Sequence, residues 1–204
     1  MKYEYISRAV RKLKKKYGTG DVRELCGALK IVINPVPMGT GRTAVKGFFI
    51  RSARVKVITI NSDLPEIVRR FILAHELGHA VLHGSSGCNT FHDVTLYDDS
   101  SETEKEANLF AAELLMNDED VLDQINNDGT FFSAASMLGV PMELLDFKFR
   151  MMKWKGYKLG EPPVVSRSDF LKEIPIPENH DDAYACPDTG MMNAPGKTAA
   201  GAGG

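Results

Sequence analysis

"RRFILAHELGHAVLH", residues Arg69 to His83, holds three histidines, with Glu76 directly after the first of them. His75 and His79 stand four apart, so on a helix they occupy one face about a turn from each other. Two imidazoles in that relation can bind one Zn2+. Glu76, beside the first, can take a proton from the water such an ion activates rather than bind the ion itself. Gly78 between the histidines would let a sheet edge or a substrate backbone come close. Histidines that merely cap or solvate a buried helix are the plainer reading, and the paired spacing argues against it.

A catalytic zinc takes three protein ligands and keeps one position open. His83 is another turn along, and one straight helix does not readily wrap three ligands around an ion. His83 is therefore expected to pack or to hydrogen-bond behind the ligands. The longer pattern with a third histidine would need Gly at position 82 and His at position 85, where this chain has Leu82 and Ser85. The third donor should then be a carboxylate on a second helix. "ETEKEANLFAAELLM", Glu102 to Met116, is strongly helix-forming, and Ser100 or Ser101 can cap it. We favour Glu106, which borders the apolar stripe of Leu109, Phe110 and Leu114, where a partly buried carboxylate needs a partner. Glu102 and Glu113 are read as ordinary solvated positions.

Upstream, Ile6, Ala9, Val10, Leu13 and Tyr17 recur at three- and four-residue steps, an amphipathic helix closed at Gly18, with Lys12, Lys14, Lys15 and Lys16 on its solvated face. A short helix follows around Asp21 to Leu29. "IVINPV" reads as a strand interrupted by Pro35. "VKGFFIRSARVKVITIN" reads as two strands joined near Ser52 and Ala53. Asn61, Ser62 and Asp63 offer caps for the histidine helix, with Pro65 in its first turn. Downstream of the second helix come three helical stretches, "DEDVLDQIN", "FFSAASMLGV" and "PMELLDFKFRMMKWK". The pattern is α+β. We divide it into 1–116, a metallopeptidase-like domain with a small antiparallel sheet; 117–158, a helical segment; and 159–204, an extended segment whose end has no fixed structure.

The 204 residues, 43% hydrophobic and 25% charged, suit a soluble globular protein, and no apolar run reaches membrane-spanning length. A formal charge of -2 argues against bulk nucleic-acid binding. The charged N-terminus lacks a signal-peptide core, which points to the cytoplasm. Cys26, Cys88 and Cys186 are too far apart to suggest a disulfide framework or a Cys-rich zinc site.

"RRFILAHELGHAVLH" followed by "EKEANLFAAELLM" resembles the ImmA/IrrE family of zinc-dependent endopeptidases, in both halves of the signature and in the gap between them. The resemblance spans roughly residues 5 to 150. It implies His75, His79 and Glu106 as zinc ligands, the last being the glutamate just before Ala107-Asn108, and Glu76 as general base. Asn108 and Phe110 match family positions that help build the second helix. The implied fold is a minimal zincin. The implied activity is hydrolysis of one peptide bond in an intracellular protein, a helix-turn-helix repressor, in a protein encoded by mobile elements or stress-response loci. The substrate would add as a strand along Val55 to Ile60, taken as an edge.

"FFSAASMLGVPMELLDFKFR" corresponds to the helix-turn-helix-like segment of relatives, with Leu138-Gly139-Val140 as its turn. Val140-Pro141 stands where relatives show Val-Ser. Its apolar last helix is expected to pack on the catalytic domain rather than read DNA. The 84–100 loop is long for the family. In it Cys88 and His92 are either an ordinary thiol and imidazole or, less expected, a regulatory ligand and an oxyanion donor. Two other readings stand beside the leading one: a regulatory DNA- or repressor-binding protein with a structural or vestigial zinc site, and a zinc hydrolase of small amides.

Overall fold

The computed structural model describes residues 3–41, 43–84, 102–128 and 130–170, with backbone only at 127 and 128. Helix α1 spans Glu4–Tyr17 and buries Ile6, Val10 and Leu13, one face of the expected repeat. Gly18 ends it in the left-handed region (φ 70°), returning its N–H to the Lys14 carbonyl at 2.9 Å. Lys12, Lys15 and Lys16 are exposed, whereas Lys14 is half-buried. Its Nζ donates to Asn117 Oδ1 at 3.3 Å. Helix α2, Val22–Ala28, is capped by Asp21, whose carboxylate accepts from the Glu24 N–H.

Strands β1 (Ile31–Val36), β2 (Gly47–Ser52) and β3 (Val55–Asn61) form one sheet in the order β1-β3-β2. β2 and β3 make the expected hairpin, turning at Ala53, which adopts φ 49°. β1, however, pairs with β3 in parallel, so the sheet is mixed rather than purely antiparallel. The 37–46 connection carries the chain across β3, and the hairpin then returns it to the centre. β3 is therefore the middle strand. The expectation that Val55 to Ile60 forms an edge open to a substrate is corrected: β2 and β1 are the edges. Pro35 sits within β1, opposite Ile60, rather than breaking it. At an edge, a missing N–H need not cost a ladder bond.

Asn61 was expected to help cap the histidine helix. It is instead fully buried and fastens the 37–46 connection. Its Oδ1 accepts from the N–H groups of Met38 and Asp63, and its Nδ2 donates to the carbonyls of Gly39 and Val45.

Helix α3, Glu66–Gly78, follows Pro65 and continues into a π-helical turn, His79–His83. Such turns gather at functional sites. α4 (Glu102–Leu115) packs on α3, and every residue from Ala107 to Leu114 is buried. The contact is backbone-close. A Cβ on Gly78 would lie 3.2 Å from the Cα and O of Ala107 and 3.1 Å from the Phe110 ring. The neighbour that needs Gly78 is thus α4, not a sheet edge or a substrate.

Helices α5 (Asp118–Asp128), α6 (Phe131–Met137) and α7 (Met142–Trp154) complete the described fold. Thr130 caps α6, and Gly139 (φ 60°) makes the turn expected at Leu138–Val140. α7 buries Leu144, Leu145, Phe147, Phe149, Met151 and Met152 and packs on α4 and α6. One apolar core runs continuously from Ile6 to Phe170. Among the described residues no helix is long and apolar enough to cross a membrane.

Candidate metal centre

α3 and the π-helical turn that continues it place His75, Glu76 and His79 inward, and all three are nearly inaccessible to solvent. The Nε2 atoms of His75 and His79 are 3.0 Å apart. Facing them from α4 is Glu104, with Oε2 3.3 Å from His75 and Oε1 3.2 Å from His79. Imidazole and carboxylate ligands at zinc distances, arranged tetrahedrally, lie about 3.3 Å from one another. The three donor groups therefore fit a single metal ion without rearrangement, and they are the group among the described residues that can hold one.

This differs from the expectation at one position, for Glu104 stands where Glu106 was expected. Two residues along an α-helix is about 200° around its axis, so the two side chains leave α4 on opposite sides. Glu106 approaches His83 instead, its Oε2 3.5 Å from the imidazole Nε2, and accepts a hydrogen bond from the Tyr5 hydroxyl. Burial and then Glu106 push the Tyr5 pKa upward. The stripe of Leu109, Phe110 and Leu114 misled because α4 is buried all round from Ala107 to Leu114, so bordering an apolar residue selects no face. The usable signal was the four-residue step from Glu104 to Asn108, which places both on the face turned to His75.

Asn108 is fully buried, and its Oδ1 lies 2.8 Å from His75 Nδ1. The imidazole thus donates through Nδ1 and presents its Nε2 lone pair toward His79 and Glu104, the arrangement that fixes the tautomer of metal-ligating histidines. The Asn108 Nδ2 in turn donates to the Ser168 carbonyl at 2.6 Å, a contact nothing in the sequence announced.

The site is strongly polarised. Burial opposes a charge on His75, but Glu104, through hydrogen bonding and charge, and then Glu76 outweigh it and raise its pKa. Burial also opposes ionisation of Glu104, and the two histidines more than reverse this, holding the carboxyl well below its usual range. Glu76 shifts the other way. Burial pushes it up to about 7, against the opposing pull of His75 and of the Phe49 N–H, which it accepts from β2. Gly47 gives this corner its room, since a Cβ there would meet Ile72 at 2.8 Å.

His83 lies behind the group, its ring centroid 5.6 Å from that of His79. Glu102 is exposed as expected. Glu113 is not solvated: it is buried, accepting from Ser7 Oγ (2.9 Å) and Lys148 Nζ (2.8 Å) and paired with Lys155. Cys26 is buried, which pushes its thiol up to about 12, so it remains protonated at neutral pH. Cys88 and His92 lie outside the described residues.

The chain is similar to known proteins. It is 40% identical over 146 residues to the uncharacterized immunity region protein 2 of Bacillus phage phi105, covering 72% of this chain and 90% of that one. It is 32% identical over 114 residues to the metallopeptidase ImmA of Bacillus subtilis, covering 55% of this chain and 64% of that one. A family model described as the IrrE N-terminal-like domain matches residues 26–150, a span that contains both histidines, Glu76 and Glu104. The chain belongs to the ImmA/IrrE family, whose signature the sequence carries on α3 and α4.

Proposed function

We propose that the protein is a zinc-dependent endopeptidase that hydrolyses a specific bond in an intracellular protein, with a helix-turn-helix repressor as the substrate class. The observation that carries this is the convergence of two imidazole Nε2 atoms and one carboxylate beside the buried carboxyl of Glu76. His75, His79 and Glu104 would hold the ion. A bound zinc supplies Lewis acidity toward a carbonyl and toward water.

The chain's own groups do the rest. Glu76, with its pKa brought near neutrality, accepts a proton from the attacking water and passes it to the leaving amine. The Phe49 N–H holds its carboxylate in place. Because that N–H belongs to β2, an edge strand running past Glu76, a substrate added along β2 would bring its carbonyl to the proton acceptor. The likeness to a phage immunity-region protein supports a regulatory substrate over a small amide. The burial of α7 against α4 speaks for packing over DNA reading in the 117–158 helices.

The test is incubation of the zinc-loaded protein with the repressor-like product of a neighbouring gene, followed by mass mapping of termini. A single new terminus that Glu76→Gln abolishes supports the proposal. Binding of the repressor without cleavage, unchanged in Glu76→Gln, would transfer support to the regulatory-binding reading.

A further inference from the structure

The family match ends at residue 150, yet the hydrogen bonding around His75 does not. Asp146 on α7 is buried, and a buried carboxylate needs partners. It accepts from the Ser166 N–H at 2.8 Å and from the Arg150 guanidinium. Arg150 also donates to the Ser166 carbonyl at 2.7 Å, so both backbone groups of Ser166 are gripped. Four residues on, Phe170 is buried with its ring 5.5 Å from that of Phe147. Between these two anchors lies Ser168, whose carbonyl takes the Asn108 Nδ2.

A side-chain amide can present either its oxygen or its nitrogen to a neighbour. Were Asn108 turned over, its NH2 would face His75 Nδ1 and favour the tautomer with the proton on Nε2, which cannot ligate. The Ser168 carbonyl accepts only an N–H, so it forces the other orientation and leaves Oδ1 facing His75.

We propose that residues 166–170 form a positioning strap, which selects the metal-binding tautomer of His75 by fixing the amide of Asn108. Asp146 and Phe170 are then positioning residues more than 20 positions apart in sequence, neither touching the metal group. The inference rests on reading His75 as a metal ligand.

The experiment uses the full chain, with zinc affinity from competition with a chromophoric chelator and ligand geometry from the visible spectrum of the Co2+-substituted protein. Phe170→Ala and Asp146→Asn should each weaken zinc about 10-fold, the lower end for groups that orient a ligand. Each should also alter the cobalt spectrum. Asn108→Ala should weaken it as much or more, and adding Phe170→Ala to Asn108→Ala should cost nothing further. A merely structural loss would instead add to that of Asn108→Ala. Additive losses, or folded strap variants that bind zinc and cobalt as the wild type does, overturn the strap. If Asp146→Asn does not fold, Phe170→Ala and its cycle with Asn108→Ala decide alone. His75→Ala reports separately on the underlying reading. Zinc retained there overturns the ligand assignment, whereas zinc lost there with the strap variants unaffected overturns the strap only.

Discussion

Glu104 and Glu106 stand two residues apart on α4, and their carboxylates meet different histidines: Glu104 faces His75 and His79, Glu106 faces His83. Exchanging either for glutamine keeps its size and removes its charge. Glu104→Gln should release most of the bound zinc, while Glu106→Gln and Glu102→Gln should leave metal content near one ion per chain. Elemental analysis of the purified variants checks this. The opposite pattern would restore Glu106 as the third ligand.

Glu76 accepts the Phe49 N–H and stands outside the group of His75, His79 and Glu104, so its removal separates proton transfer from metal binding. Glu76→Gln should keep zinc and the fold while lowering turnover by at least ~10²-fold, the low end for general-base catalysis. Parallel measurement of zinc content and cleavage rate reads the two apart.

Gly78 offers a test of the α3–α4 contact. Alanine is a better helix former than glycine by about 1 kcal/mol. Here its methyl group would press on Ala107 backbone atoms at 3.2 Å, which cannot swing aside. Overpacking of this kind costs about 1–3 kcal/mol. Gly78→Ala should therefore lower the urea midpoint and, by separating the two ligand-bearing helices, weaken zinc as well. A stabilised variant with unchanged zinc affinity would show that the helices tolerate separation.

The buried charges around Glu113 set an acid limit. Burial alone would raise its pKa, but Lys148 and then Lys155 overcome this and hold the carboxyl below its usual range. Asp118 is lowered by the same two lysines against its own burial. Folded-state pKa values below the unfolded ones stabilise the fold above the usual carboxylate range, and that stability is lost as pH falls through the lowered values. Glu113→Gln should destabilise at neutral pH by about 3 kcal/mol, since two lysines then share Asp118 alone. It should also flatten the decline of stability toward acid. Urea unfolding across a pH series measures both.

Much of this was legible in the sequence because it depends on local spacing. The His75–His79 step fixed one wall of the centre, the Ile6–Val10–Leu13 repeat marked the buried face of α1, and Gly18 and Gly139 sit at the turns their conformational freedom suits. What stayed hidden depends on partners distant in the chain. Whether Glu104 or Glu106 faces the histidines is decided by how α4 is rotated against α3 at Gly78 and Ala107. The central place of β3 follows from a crossing held by Asn61. The hold of Ser168 on Asn108 joins positions 60 apart through a backbone carbonyl, which has no residue signature at all.

The charge cluster has a consequence for synthesis on the ribosome. Ser7 from α1, Glu113 from α4, Asp118 from α5, Lys148 from α7 and Lys155 just past its end meet in one place, with Ser7 and Glu113 separated by 106 positions. An emerging chain that has reached α4 carries Glu113 without the lysines that neutralise it, and a carboxylate left alone there resists burial. Until α7 has left the exit tunnel, the seat of the N-terminal helix on α4 would hold Glu113 against Ser7 without its ion pairs to Lys148 and Lys155. A nascent chain halted before Lys148 should therefore show a weaker seating of α1 on α4, read as faster hydrogen exchange along α1 in the stalled chain.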